Sequence, residues 1–264
     1  MKKIFFLSGL SRSGSTLLGS ILNQNPLIYV TPTSPFLDLF CWTNDGLQKF
    51  NHQYTFNFEE QSNHIFKLLG ENYYNLIDKP IIIDKHRGWP RNIEPALKFI
   101  NNDAKAICTI RPVSEIITSF LVLIDQDPSN FIDKKLLERN IPINIENRAL
   151  CLWNDYGLEV YESLIYGLSN FRERIHLIKY DDLINNTNNE LSNIYDFLRI
   201  DSFNHYFDNI INTCEEQKDD AWGLKNLHYI RPKLEKQSIN PSKYLNDKLL
   251  DYFKTFDNLL NDLT

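Results

Sequence analysis

Short apolar runs alternate along this chain with longer segments in which the apolar residues recur at helical spacing. Continuous apolar runs predict buried strands at residues 4–7, 81–83, 106–110 and 175–180. The intervening segments predict helices, at residues 16–23, 92–101, 113–124, 147–168 and 189–198. A last helix is predicted at residues 244–263. Alternation of this kind is typical of βαβ units.

The predicted fold is therefore α/β, with a P-loop-type central parallel β-sheet flanked by helices. Helical or loop insertions are expected at about 41–75 and 125–145, and a C-terminal cap at about 201–264. With 264 residues, 42% of them hydrophobic, the chain is long enough to bury roughly three quarters of its surface. We expect one domain spanning residues 1–264.

The net charge of −6 disfavours duplex DNA and anionic membranes as partners. An anionic ligand would instead need a local positive pocket. The four cysteines form no CxxC pair and the histidines lack metal-ligand spacing, so we expect reduced thiols and no metal. The first apolar run ends at Ser8, too early for a secretory signal, and no run is long enough to span a membrane. The expected location is the cytoplasm.

The strongest local signal is the segment Gly9 to Thr16, GLSRSGST, which lies between the first predicted strand and the first predicted helix. This context is typical of a phosphate-binding P-loop. Its amide N–H groups and the helix N-terminus attract a phosphate, and Ser13, Ser15 and Thr16 add hydroxyl donors. Gly14 lets the backbone approach the ligand closely. A simple glycine turn with a Ser/Thr helix cap is the alternative.

The loop departs from the Walker A sequence of nucleotide hydrolases. Ser15 replaces the Walker lysine, and the cation is Arg12, inside the loop. We therefore expect a loop that binds a phosphate without being built around a triphosphate and Mg²⁺.

A second candidate anion site follows the third predicted strand. Arg111 lies at the carboxyl end of that strand, where ligands gather in α/β folds, and Ser119 lies two helical turns further on. Such a pair can hold a second phosphate. A structural ion pair of Arg111 is the alternative.

Together these motifs resemble the sulfotransferases that use 3′-phosphoadenosine 5′-phosphosulfate (PAPS), particularly the bacterial and tyrosylprotein-type members. The segment RSGST at 12–16 is similar to that family's 5′-phosphosulfate loop, and Arg111 with Ser119 matches its 3′-phosphate motif. The segment YDDL, beginning at Tyr180, matches a third landmark whose tyrosine lies near the adenine. The resemblance implies PAPS as co-substrate, no metal, and cofactor contacts from Arg12, residues 13–16, Arg111, Ser119 and Tyr180.

Lys85 and His86 are the candidate catalytic residues, together with Arg12. Lys85 matches a strand-end lysine of the family, whereas His86 comes one place earlier than the family's Lys-x-His spacing. His86 is either the general base or an ordinary loop histidine; Glu59, Glu60 and the acceptor itself remain alternatives for the base.

Other landmarks are missing or altered. Residues 31–35 lack the glutamate of the tyrosylprotein-type members, and the Arg-Lys-Gly motif of the small-phenol enzymes is absent, with residues 222–233 as the nearest basic substitute. Aromatic residues, most of them expected in the core, are candidates for the acceptor pocket: Trp89, Phe50, Tyr54, Phe56 and Phe58.

Three functions stay open at the level of sequence. The first is sulfuryl transfer from PAPS to a hydroxyl or amine of a carbohydrate, a peptide tyrosine, a lipid or a small alcohol. The second is a P-loop kinase or nucleotide hydrolase without the Walker lysine, with Asp84 after the apolar run 81–83 as a Walker B residue. The third is a non-catalytic nucleotide-binding module. The sequence determines neither the acceptor nor the oligomeric state.

Overall fold

A five-stranded parallel sheet organises the part of the chain that the structure describes. The structure is a computed structural model that describes residues 2–50, 58–214, 219, 223–236 and 239–263. The strands are β1 (Lys3–Gly9), β2 (Ile28–Thr33), β3 (Ile81–Lys85), β4 (Ala106–Ile110) and β5 (Ile175–Lys179). They lie in the order β2-β3-β1-β4-β5, and every pair is parallel. The predicted fold class is confirmed.

Strand β2 was not predicted. Its sequence, IYVTPT, contains Pro32, which has no N–H to donate to a neighbouring strand. The strand lies at the edge of the sheet and pairs only with β3 among the described strands, with Ile28 and Val30 buried. The register of its pairing with β3 shifts between Val30 and Thr33, the stretch that contains Pro32. A proline is tolerated at such an edge, and it made the sequence pattern too weak for a prediction.

Eleven α-helices accompany the sheet in the described residues. They are α1 (Ser15–Leu22), α2 (Phe36–Phe50), α3 (Phe58–Asn72), α4 (Ile93–Phe99), α5 (Val113–Gln126), α6 (Phe131–Glu138), α7 (Ile145–Leu152), α8 (Leu158–Asn170), α9 (Tyr180–Asn185), α10 (Thr187–Leu198) and α11 (Asp247–Asp262). The segment expected as an insertion at 41–75 holds most of α2 and all of α3, and that at 125–145 holds α6.

The single helix predicted over residues 147–168 is wrong in detail. It consists of α7, a π-helical turn at Trp153–Gly157, and α8. A Cβ at Gly157 would lie 2.5 Å from the Trp153 ring, so only glycine lets this turn pack on the indole. Periodicity does not reveal one inserted residue, because the apolar spacing on either side is unchanged.

Two hydrophobic clusters cover the two faces of the sheet. Successive residues of a strand point to opposite faces, and Phe5 and Phe6 of β1 accordingly belong to different clusters. The cluster around Phe6 includes Trp89 and Trp153, and the cluster around Phe5 includes Tyr195. The central strands are thus covered on both faces, and their carboxyl ends meet at one edge of the sheet.

The C-terminal part of the chain, before α11, has little regular structure in its described residues, but it is anchored to the rest. The Gln24 side-chain amide donates to the Tyr206 carbonyl at 2.9 Å, and Lys236 Nζ donates to Asp181 Oδ2 at 2.7 Å. Helix α11 is itself anchored by the Tyr161 hydroxyl, which donates to the Phe256 carbonyl at 2.8 Å. Within the described ranges, none of the helices combines the length and the apolar character needed to cross a bilayer.

Candidate active site

A cavity of about 420 Å³ opens at the carboxyl ends of β1, β3, β4 and β5. The loop after β1, the residues that follow β3, the start of α9 and residues 227–235 of the C-terminal segment all contribute to its walls. Ligand sites of parallel α/β sheets lie at this edge. The cavity therefore brings together parts of the chain that are far apart in sequence.

The loop after β1 adopts a conformation that demands glycine at two points. Gly9 has φ 131°, and a Cβ there would lie 2.2 Å from the Thr109 carbonyl oxygen of β4. Gly14 has φ 94°, and a Cβ there would lie 3.0 Å from the Tyr180 ring. Arg12 also has a left-handed backbone, with φ 56°. Residues 9–14 therefore form a tight loop that leads directly into the N-terminus of α1, an arrangement that is typical of anion-binding loops.

Three of the four hydroxyl side chains in the segment Gly9 to Thr16 have different surroundings. Ser13 is fully buried, and its hydroxyl lies 2.6 Å from Thr109 Oγ1 and donates to the Thr109 carbonyl at 3.0 Å. The Ser13 side chain therefore braces the loop against β4, and only its backbone remains for a ligand. Ser15 and Thr16, by contrast, line the cavity.

Arg12 ties the loop to two other parts of the chain. Its Nε donates to Ser119 Oγ of α5 at 3.1 Å, and its guanidinium also donates to the Leu227 carbonyl. Burial, together with the nearby charge of Arg111, lowers the pKa of Arg12 to about 10. Arg12 and Ser119, predicted as parts of separate phosphate contacts, are thus direct neighbours.

Arg111 is buried with one hydrogen-bonding group unused. Its Nε donates to Glu115 Oε2 at 2.9 Å, another guanidinium nitrogen donates to the Arg12 carbonyl at 3.4 Å, and the guanidinium lies 4.4 Å from the centre of the Tyr180 ring. The remaining nitrogen, Nη2, is buried and has no hydrogen-bond partner among the described residues. Buried donors are nearly always paired, so this atom fits an anionic ligand at the cavity wall.

Lys85 is the buried cation on the β3 side of the loop. It ends β3, pairs in register with Leu7 of β1, and donates from Nζ to Thr16 Oγ1 at 2.9 Å. Burial lowers the pKa of Lys85 to about 7. Lys85 thus lies beside the phosphate loop, at the cavity wall.

Asp84 lies on the opposite face of the sheet from Lys85, because side chains alternate along a strand. Its carboxylate is fully buried, accepts from Trp89 Nε1 at 2.5 Å, and also accepts from the Tyr74 hydroxyl. Burial raises the pKa of Asp84. A Walker B aspartate must face the phosphate loop, so this placement argues against the kinase or hydrolase alternative.

His86 lines the cavity, but its ring has two partners already. Nδ1 accepts from the Gly88 backbone N–H at 3.1 Å, and Nε2 lies 3.4 Å from Asp38 Oδ1. Since Nδ1 accepts, the neutral ring carries its proton on Nε2, towards Asp38. This arrangement leaves no lone pair for an acceptor proton and differs from what a general base needs.

Several cavity residues were given no individual role by the sequence analysis, although residues 222–233 were named there as a basic substitute. Arg87 lines the cavity and is exposed, and its guanidinium has no hydrogen bond or ion pair with the described residues. His228 lines the cavity from the C-terminal segment, as do the basic residues Arg231 and Lys233. Apolar and aromatic side chains complete the wall: Ile116, Ile117, Phe120, Phe131, Leu152, Trp153, Tyr156 and Tyr229.

Other candidates from the sequence lie elsewhere. Glu59 and Glu60 are exposed in the first turn of α3 and do not line the cavity. Trp89 is buried in the core against Phe6. The side chain of Phe50, together with Tyr54, Phe56 and Trp222, lies outside the described residues. No group of three or more potential metal ligands occurs in the described ranges.

The motifs that build this cavity fall within a known family model. Residues 5–205, well over half of the chain, match the model of the sulfotransferase family. The chain belongs to the sulfotransferase family. The matched range includes the loop after β1, Lys85, Arg111 and Tyr180, and excludes His228 and the basic residues beyond it.

Solved structures show the same fold at low sequence identity. A sulfotransferase from Alicyclobacillus acidocaldarius is 12% identical, with a TM-score of 0.53 over 100% of this chain and 96% of the other. Mouse sulfotransferase SULT7A1, complexed with PAP, is 14% identical, with a TM-score of 0.52 over 97% of this chain and 83% of the other. Among curated proteins, no sequence matches this one significantly.

Proposed function

We propose that this sulfotransferase uses PAPS as its sulfuryl donor. The observation that carries the proposal is Arg111: a buried cation next to the phosphate loop, with one N–H donor left without a partner among the described residues. A kinase loop does not need a second anion site at this strand end, whereas a 3′-phosphorylated nucleotide does.

The donor would span two groups of contacts. The loop amides of residues 13–16, with Thr16 and Lys85, suit the 5′-phosphosulfate end, since N–H donors, a hydroxyl and a cation converge there. Arg111 and Ser119 suit the 3′-phosphate, and the Tyr180 ring, against which Arg111 packs, suits the base. Leu227 to Glu235 would then cap the nucleotide, as proposed for the C-terminal segment 201–264.

The reaction needs a charged leaving group to be stabilised and an acceptor proton to be removed. A bond forms between the acceptor oxygen or nitrogen and sulfur, and the bond from sulfur to the bridging phosphate oxygen breaks, with its electron pair staying on that oxygen. Lys85, and Arg12 with the loop amides, would stabilise the negative charge that develops there. No metal is part of this proposal.

The acceptor is proposed only by chemical class: a hydroxyl or amine on a carbohydrate, a peptide tyrosine, a lipid or a small alcohol. The aromatic and aliphatic wall formed by α5, α6 and the π-helical turn offers apolar surface to the body of such an acceptor. The cytoplasm is the proposed location, supported by four cysteines that form no disulfide.

Transfer of labelled sulfate from [³⁵S]PAPS in the presence of EDTA tests the proposal. The acceptor panel contains p-nitrophenol, N-acetylglucosamine, a tyrosine peptide and decanol, with water as the default acceptor. We expect release or transfer of label that Lys85→Met lowers strongly. Hydrolysis of ATP with Mg²⁺, without any reaction of PAPS, would support the kinase or hydrolase alternative. Tight nucleotide binding with no reaction of PAPS would support a non-catalytic module.

A further inference from the structure

One cation of the cavity has no role in the proposed binding of the donor. Arg87 follows β3 by two residues, lines the cavity and is exposed, and no described residue forms a hydrogen bond or an ion pair with its guanidinium. On an open surface such an arginine would simply be solvated. In a cavity, a bound ligand displaces the water from these N–H donors, so the ligand itself must provide acceptors for them.

The backbone of Arg87 is held beside the start of the phosphate loop. The Ser8 hydroxyl of β1 donates to the Arg87 carbonyl at 3.0 Å, and the His86 N–H donates to the Leu7 carbonyl at 3.1 Å. Ser8 is the residue before Gly9, where the loop begins. Two hydrogen bonds to β1 therefore fix residues 86 and 87 next to the point at which the chain enters the loop.

The strand order separates Arg87 from the proposed nucleotide contacts. In the order β2-β3-β1-β4-β5, Arg87 follows β3, whereas Arg111 follows β4 and Tyr180 follows β5. A nucleotide that contacts Arg111 and Tyr180 extends from the loop towards β4 and β5. The acceptor must attack sulfur from the side opposite the leaving oxygen, and the β3 side of the cavity is the part that this nucleotide does not occupy.

The charges of the cavity wall are unbalanced. Among the described lining residues, the only carboxylate is that of Glu235, which lies 3.2 Å from Arg231. The donor, as proposed, accounts for three of the cations. Arg87 and Lys233 remain without an assigned anion. The cationic lining residues are Arg12, Lys85, Arg87, Arg111, Arg231 and Lys233.

An apolar part of the cavity wall is connected to the turn that follows Arg87. This turn packs against α8, where the Arg91 N–H donates to Ser163 Oγ at 3.2 Å. Helix α8 continues directly from the π-helical turn Trp153–Gly157, and two aromatic side chains of that turn line the cavity. One acceptor could therefore place an anionic group at Arg87 and an apolar body against this wall.

We propose that Arg87 selects an acceptor that carries a carboxylate in addition to the hydroxyl that receives the sulfuryl group. The inference rests on the proposed function above and narrows its acceptor class. A guanidinium can bind a carboxylate through two parallel hydrogen bonds, which fix the orientation of the ligand as well as its position. Arg87 would thus orient the acceptor hydroxyl towards the sulfuryl group without contacting the donor.

Matched acids and amides test the assignment, because each amide keeps the hydroxyl and removes only the charge. The pairs are p-hydroxyphenylacetate, ω-hydroxydecanoate and glucuronate, each with its amide, so that aromatic, aliphatic and sugar acids are distinguished. Binding to the enzyme in complex with 3′,5′-bisphosphoadenosine (PAP) is measured by calorimetry, and transfer of label from [³⁵S]PAPS is measured with the same compounds. We expect at least one acid to bind about 10–100-fold more tightly than its amide, as a charge-assisted hydrogen bond implies.

Three variants separate selection of the acceptor from a structural role. Arg87→Gln should remove the preference for the acid and leave the affinities for the amide and for PAP nearly unchanged, whereas Arg87→Lys should keep part of the preference. A structural role would change acid and amide alike. Arg91→Gln is the matched control and should behave like the wild type, since Arg91 is exposed, lies 3.6 Å from Glu162 and does not line the cavity.

Three results would overturn the assignment. The first is that no acid binds the wild-type PAP complex more tightly than its amide, which includes failure of every acid to bind. The second is a preference for the acid that survives in Arg87→Gln. The third is a fall in PAP affinity as large as the fall in acid binding, which would place Arg87 at the donor. Failure of the proposed function is distinct, because the wild type would then neither bind PAP nor consume PAPS.

Discussion

Arg111 keeps one guanidinium nitrogen buried and without a hydrogen-bond partner among the described residues, although Glu115 and the Arg12 carbonyl occupy the others. A 3′-phosphate would satisfy this donor through a charge-assisted bond. We predict that Arg111→Ala weakens binding of PAP by about 1.5–3 kcal/mol. Binding of 5′-AMP, which lacks the 3′-phosphate, should change far less.

Calorimetric titration of both nucleotides measures this difference. Arg91→Ala is a matched control, since Arg91 is exposed and lies 3.6 Å from Glu162, away from the cavity. Equal losses for PAP and 5′-AMP would mean that Arg111 is purely structural.

Lys85 gives a pH-dependent prediction at the same scale. Its pKa near 7 means that much of the lysine is neutral at pH 8, and a bound anion favours the charged form. PAP binding at pH 8 should therefore take up protons, and affinity should fall as the pH rises above 7. Calorimetry in two buffers of different ionisation enthalpy measures the uptake.

Lys85→Met is the informative variant for this measurement, because it removes the titrating group and keeps an apolar stem of similar length. It should abolish the uptake. Uptake of equal size in the variant would assign the proton to another group.

The burial of Lys85 also affects stability without ligand. Its folded pKa lies below the unfolded value of 10.5, so the unfolded chain binds more protons between the two values. The contribution of Lys85 to stability accordingly rises with pH from about 7 and is complete above the unfolded pKa. When Tm is measured by thermal unfolding across this pH range, its dependence on pH should have a different slope in the wild type and in Lys85→Met.

The sequence indicated those cavity residues whose motif is continuous or nearly so. Arg12, residues 14–16 and Lys85 line one cavity, and the Ser13 side chain braces the loop against β4. They come together because β1, the loop and α1 are consecutive in the chain and β3 is paired with β1. The contact between Arg12 and Ser119, and the inward direction of the Ser13 hydroxyl, depend on φ values and packing that no motif encodes. His228 follows the family landmarks after a stretch without periodicity, so only the fold brings it to the cavity.

At the scale of elements, the connection from β1 to α1 depends on the close approach of β1 to β4. Gly9→Ala would place a Cβ 2.2 Å from the Thr109 carbonyl oxygen at a φ of 131°. We predict a loss of at least about 2 kcal/mol of unfolding free energy, from backbone strain and displacement of β4. Urea denaturation measures it.

Gly46→Ala is the matched control for this variant. Gly46 lies in α2 with open space around the new Cβ, so alanine should stabilise the helix by about 1 kcal/mol. Equal stability of Gly9→Ala and wild type would contradict the tight packing of β1 on β4.

The elements differ in how well the sequence predicted them. Four strands with continuous apolar runs were predicted within a few residues, since burial on both faces imposes that pattern. Strand β2, with Pro32 at an edge, and the π-helical turn at Trp153–Gly157 were missed. In both cases tertiary contacts, and not the local sequence pattern, determine the backbone conformation.

At the scale of the whole molecule, the C-terminal segment forms part of the wall of the cavity at the edge of the sheet. The Leu227 carbonyl accepts a hydrogen bond from the Arg12 guanidinium, and Lys236 Nζ lies 2.7 Å from Asp181 Oδ2 at the start of α9. Within the segment, the Ile210 N–H donates to the Pro232 carbonyl at 2.7 Å. The proposed nucleotide would thus be enclosed between the sheet edge and this segment. Its binding should stabilise the entire fold and not only the loop.

Thermal unfolding with and without PAP, in EDTA, tests the central claim most directly. At 100 times its dissociation constant, PAP should add about 2.7 kcal/mol of stability. For a chain of this length that corresponds to a rise in Tm of about 5 °C. 5′-AMP and ATP with Mg²⁺ should each stabilise less at equal concentration. A strong stabilisation by ATP with Mg²⁺, together with no shift in PAP, would contradict the account.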